Sequence, residues 1–131
     1  MRFEIISRLS LGFQMVWSTW HLWWSIAHGG FNEFFYNESD EFTSMTLKSL
    51  KLIDARDYVE IFEHAIDAHR KEMQNPTMQE LYSEQTLHGY SESFKMSSLK
   101  EYDERFMKLG LLLREQKIKY IRSNLQLFIG N

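Results

Sequence analysis

From Ser10 onward the apolar residues fall into two helical lines. Phe13, Val16, Trp17, Trp20, Trp24 and Ala27 form one, and Met15, Leu22 and Ile26 form a second. A helix apolar on two sides is predicted to be enclosed by other helices, with Ser10 as its N-cap and the Trp17, Trp20 and Trp24 face in the core. Gly29-Gly30 is predicted to end it, and Phe31 to Asn37 to begin a short element whose aromatics pack beneath the tryptophan helix. A third helix is expected from about Ser39 or Asp40 to Ile53, with Phe42, Met45 and Leu52 along one line and Thr46, Leu50 and Ile53 along the next. The fourth, about Ala55 to Lys71 with Asp54 as a cap, is the clearest amphipathic segment. Tyr58, Val59, Ile61, Phe62, Ala65 and Ile66 face inward, while Asp57, Glu60, Glu63, His64, Asp67 and Lys71 face outward.

Asn75-Pro76 breaks that helix, and Thr77-Met78-Gln79-Glu80 has the capping-box pattern of a further short helix ending near His88-Gly89. Gly89 to Ser97 shows no period. A second capping box, Ser98 to Glu101, opens a line of Leu99, Tyr102, Phe106, Leu109 and Leu113, continued by Ile118, Ile121, Leu125 and Phe128, as one long helix or two short ones. The expected fold is all-α, a compact helical bundle of about five to seven helices in one domain spanning 1–131.

Composition agrees with this pattern: one proline and six glycines in 131 residues leave few turns for an all-β domain, and an aromatic content of 15% supplies a core. The absence of cysteine excludes disulfides, thiolate metal sites and cysteine nucleophiles, and a cytoplasmic location is expected. Leu9 to Asn32 carries no Asp, Glu, Lys or Arg and has the length of a membrane span. Its polar residues, the Gly29-Gly30 pair and the mid-segment tryptophans instead favour a buried helix. Glu4 between Arg2 and Arg8, with no small-residue cleavage site after the apolar run, disfavours a signal peptide.

The overall charge of −3 conceals an uneven spread. Residues 33–92 carry 13 acids and 5 bases, a balance of −8, whereas residues 93–131 carry 4 acids and 8 bases, a balance of +4. Two solvated helical faces attracting each other within the fold or across a dimer would account for this pattern. Candidate chemistry is sparse. Glu60, His64 and Asp67 share one helical face and could present two carboxylates and an imidazole to a metal, as a small metal-dependent hydrolase would require. A solvated ion-pair row with Lys71 explains the same residues, and His69 points elsewhere. Phosphate-loop, nucleophile-elbow and HExxH patterns are missing, so no catalytic residue, metal or cofactor is expected. Direct nucleic-acid binding is not expected either, because the basic end has only eight Lys and Arg in an acidic chain.

The run from Ser25 to Asn37 resembles the GGFxxFFxN signature of the bacterial DNA-mimic-protein domain family through Gly29, Gly30, Phe31, Phe34, Phe35 and Asn37. Leu47 to Ala55, Leu99-x-x-Tyr102-Asp103-x-x-Phe106 and Tyr120-Ile121-Arg122 resemble its later segments, so the likeness covers about residues 13–124. Ser25, His28 and Glu33 stand where the family pattern has Glu, Asn and Gln. The resemblance implies an all-helical domain, often a homodimer, whose acidic surface imitates duplex DNA and occupies the DNA-binding face of a repressor. Asp57, Glu60, Glu63 and Asp67, with Glu80 and Glu84 beyond, form the row of carboxylates such a surface would use. The expected partner is a protein with a basic surface, a DNA-binding protein or a nuclease. An immunity-like or antitoxin-like inhibitor of a toxin enzyme is the alternative.

Overall fold

Ser10 accepts a hydrogen bond from the Phe13 amide at 3.4 Å and starts the long helix as its sequence predicts. The computed structural model describes residues 3–129. Met1, Arg2, Gly130 and Asn131, which fall within the expected domain and in Arg2's case bear on the leader-peptide argument, lie outside the described residues. The elements are α1 (Phe3–Ile6), α2 (Leu11–Asn37), α3 (Asp40–Leu52), α4 (Arg56–Glu72), α5 (Pro76–Glu84), α6 (Leu87–Met96), α7 (Lys100–Lys108) and α8 (Leu112–Ser123), followed by a 3-10 turn at Leu125–Leu127. The fold is all-α, with eight α-helices and no strand among the described residues, against the five to seven helices expected.

Gly29-Gly30 interrupts α2 as expected, because the span Leu11–Asn37 is two helical segments that meet at a kink. Gly29 is helical, and only Gly30 departs, at φ 78 and ψ −173, after which the helix resumes to Asn37. The break redirects the chain, so that Phe31, Phe34 and Phe35 are buried as expected while Asn37 ends the helix exposed. Trp17 and Trp23 pack against the cluster that holds these rings. Phe31 meets Phe62 of α4 at 5.9 Å and Phe106 of α7 at 5.7 Å, and Phe34 meets Phe62 at 5.7 Å. The core thus centres on the second half of α2, with α3 and α4 on one side and α7 on another.

The first half of α2 is oriented differently from the expectation. Trp20 is 45% and Trp24 40% exposed, Phe13 is exposed and Trp17 half-buried, so the tryptophan face is not in the core. The buried line is Met15, Leu22 and Ile26 together with Gly12, Ser18, Thr19 and Ser25. Small side chains decide this: the Ser18 hydroxyl donates to the Ser49 hydroxyl of α3 at 2.9 Å, a close approach that a tryptophan in either place would prevent.

Other boundaries also differ. Asp54 sits at φ 58 and pairs with Arg56 at 2.9 Å, leaving Ala55 at the N-cap of α4. Asn75 caps α5 through the Thr77 amide, with Pro76 in the first turn, so Thr77 is already inside the helix. Gly89 ends nothing. Gln85, at φ 51, turns the chain, Thr86 caps α6 through the Gly89 amide at 3.0 Å, and α6 occupies much of the stretch without a visible period. Ser98 does not cap α7; its amide and hydroxyl both donate to Glu72 at the end of α4. Gly110, at φ 61, separates α7 from α8, so the closing segment is two helices. Leu99, Phe106 and Leu113, two turns apart, are each 1% exposed.

Candidate functional site

The outward face of α4 is built from alternation alone: burying Tyr58, Ile61, Phe62, Ala65 and Ile66 leaves Asp57, Glu60, Glu63, His64 and Asp67 in solvent. All four carboxylates of the predicted row on this helix are exposed, and so are Glu80 and Glu84 of α5. Most of the row is loosely paired. Glu63 faces Lys51 of α3 at 3.7 Å, Glu60 faces Arg105 of α7 at 4.0 Å, Asp67 faces Arg70 at 4.0 Å, and Glu84 faces His88 at 3.3 Å. Such solvated pairs are each worth roughly 0–1 kcal/mol, so the cations are exchangeable. Asp57 and Glu80 have no ion pair among the described residues. The main packing partner of α5 is α6, so Glu80 and Glu84 belong to a different element from the α4 row and do not simply extend it. Glu72 is a different kind of acid, holding Ser97 and Ser98 against the end of α4. Among the described residues no group of three or more His, Asp or Glu side chains is arranged to hold a metal ion, the Glu60, His64 and Asp67 set included.

A second feature, which sequence reasoning missed, lies where α2 breaks. A cleft of about 870 Å³ is lined by His28, Gly30, Tyr90, Phe94, Lys100 and Asp103, among others. Gly30 breaks the helical ladder, and the freed Phe31 amide donates to Asp103 Oδ1 at 2.7 Å. A Cβ on Gly30 would overlap the Asp103 carboxyl, so glycine is what admits it. Burial raises the Asp103 carboxyl to about 6, the Phe31 hydrogen bond pulling it down and Glu104 pushing it further up. Glu33 is likewise raised by burial, with His28 and His21 opposing, and the Tyr90 phenol is raised by burial and then by Glu33 and Asp103. The sequence marks the two ends separately, as the Gly29-Gly30 break and as an aspartate beside the apolar line of α7, 72 residues from its partner, and no spacing joins them.

A third surface is the tryptophan stripe. Trp17 and Trp20 rings lie 5.3 Å apart and Trp20 and Trp24 6.5 Å, and Trp24 stacks on His28 at 4.0 Å. Phe13 extends the line at the other end, edge-on to Phe128 at 5.6 Å. Among the described residues no helix is long and apolar enough to cross a membrane, uncharged as this stretch is.

A family described as DMP19-like protein matches residues 7–124, nearly the whole chain. No curated protein and no solved structure matches it.

Proposed function

We propose that this chain, which belongs to the DMP19-like protein family, is a non-catalytic protein-binding domain that presents the acidic face of α4 to a basic partner surface. One observation carries the reading: Asp57, Glu60, Glu63 and Asp67 stand exposed along a single rigid helix anchored in the core by Tyr58 and Phe62. Neighbours three or four residues apart on such a helix stand about 5–6 Å apart at Cβ, so the carboxylates form a fixed line of negative charge. A DNA-binding protein or a nuclease, whose own surface is arranged to receive phosphates, is the class of partner that would read such a line as duplex DNA. Membership of a DNA-mimic family favours this reading, and the weak pairing of Glu60, Glu63 and Asp67 lets a partner's arginines replace the chain's own cations.

An inhibitor of a toxin enzyme in the manner of an immunity protein would use the same face and is a special case of the same chemistry. The exposed tryptophan stripe supports a homodimer as a second reading. It offers broad aromatic surface without charge, the make-up of interface centres. The cytoplasm, where DNA-binding partners reside, is the proposed location.

Affinity capture from the native host's lysate identifies the partner, and charge reversal then tests the face. The Glu60→Lys and Asp67→Lys double variant is expected to slow association at least tenfold and to flatten its salt dependence, with an unchanged melting temperature. Unchanged affinity and salt dependence would transfer attention to the basic helices α7 and α8.

A further inference from the structure

We propose that the Asp103 carboxyl is a proton-operated latch between α7 and the break in α2, closed while the carboxyl is protonated and loosened when it ionises. The geometry is specific. The break leaves one backbone donor, the Phe31 amide, without a helical partner, and a side chain from α7 fills that place at 2.7 Å. The glycine has no side chain to obstruct the approach, so joint and latch are matched in shape. Phe31 on one side of the contact and Phe106, one turn along α7, on the other are both buried, with rings 5.7 Å apart. A change at Asp103 therefore acts directly on the seam between α2 and α7.

The charges around the carboxyl do not compensate it. From α2, His28 and Glu33 face the cleft region. From α6 come Tyr90 and Lys95, and from α7 itself Lys100 and Glu104. Lys95 is engaged with Glu92 at 3.4 Å, and among the described residues neither Lys95 nor Lys100 forms an ion pair with Asp103. On the far side of α7, Glu60 of α4 meets Arg105 rather than Asp103. Ionisation strengthens the bond from the Phe31 amide, but that single donor does not offset the cost of a partly buried anion, so burial favours the neutral acid.

The sign follows from linkage. The docked carboxyl holds its proton up to about 6, against 3.8 for a solvated one, so the closed form is favoured at low pH and progressively lost as pH rises through that interval. Full conversion of the difference would be roughly a hundredfold in the opening equilibrium. Partial exposure of the group reduces the expectation to about tenfold.

The test is site-resolved hydrogen exchange of the Phe31 amide and the α7 amides at about pH 5 and about pH 7.5, corrected for intrinsic exchange, in the wild-type chain and in Asp103→Asn. The wild type is expected to open a few-fold more readily at the higher pH, because part of the linkage is already spent below about pH 5. The asparagine variant, which keeps an oxygen for the Phe31 amide and has no proton to lose, is expected to show no such change. A flat wild type, or an equal pH response in the variant, overturns the latch. Should the variant fold poorly, a carbon-13 titration of the Asp103 carboxyl in the wild type decides the matter. A midpoint near 6 supports the proposal, and one near the solvated 3.8 overturns it.

Discussion

At Gly30 the backbone takes a positive φ of 78 with an extended ψ of −173, a region that side-chain-bearing residues reach only at a cost of about 1–3 kcal/mol. A Cβ there would also displace Asp103, so Gly30→Ala adds the loss of the Phe31 hydrogen bond to the strain. The variant is expected to lose about 3 kcal/mol or more of stability by urea denaturation, and a loss below one would mean that the break is adaptable. A second residue sets a pH limit of opposite sign. His69 of α4 is stacked on Phe35 at 4.3 Å, and burial lowers its affinity for a proton, with Glu72 and Asp40 opposing and Arg70 assisting. The folded chain keeps this imidazole neutral while the unfolded chain protonates it near 6.5, so stability is present above that value and falls as pH drops through it. The melting temperature of His69→Leu is expected to rise relative to the wild type as pH falls below about 6.5, because the variant has no imidazole to protonate on unfolding. Because Asp103 acts the other way over an overlapping interval, global melting mixes the two, and only a local measurement isolates the latch.

Among the helices, α4 was legible because its inner and outer residues segregate cleanly, and the order of burial along it follows the alternation read from sequence. The first half of α2 was not. With apolar residues on two sides, periodicity shows that two faces could be buried but not which one neighbours cover, and bulk suggested the tryptophans. The choice fell to Gly12, Ser18 and Ser25, whose small size lets other elements come close. The two halves of α2 therefore differ energetically. Phe31→Ala, in the core, is expected to cost about 3–5 kcal/mol, while Trp20→Ala should cost about 1 kcal/mol because nearly half the residue is already in water. Parallel thermal denaturation of the two variants checks the contrast, and equal losses would return Trp20 to the interior. Helix α6 escaped detection for a related reason. Its contact positions are Gly89 and Ser93, while its large apolar residues Leu87, Phe94 and Met96 are exposed, so hydrophobic periodicity pointed nowhere. A Cβ on Gly89 would come within 2.5 Å of the Leu81 carbonyl and the Tyr36 hydroxyl, so the packing of α6 on α5 relies on a missing side chain that hydropathy does not register.

Over the whole molecule, the acidic middle and the basic end distinguished by charge counting become neighbouring elements, with Arg105 of α7 reaching Glu60 of α4. The carboxylate row was legible because exposed charge on an amphipathic helix is a one-dimensional pattern. The α2 cleft was not, since it depends on Asp103 meeting a backbone amide distant in sequence. If the tryptophan stripe is covered by a second copy, sedimentation velocity should show a dimer at micromolar concentration, and replacing Trp20 and Trp24 by serine should shift it to monomer without unfolding. A monomer at all concentrations would leave the stripe to another partner. The crowding of all four tryptophans into one stretch of α2 also gives the molecule a built-in optical reporter. Its ultraviolet-excited emission comes from this single helix, with Trp20 and Trp24 facing water and Trp24 lying against the His28 ring. Covering the stripe should shift the emission to the blue, whereas a partner confined to the acidic face of α4 should leave its colour unchanged. One unlabelled titration can therefore tell which surface has been engaged.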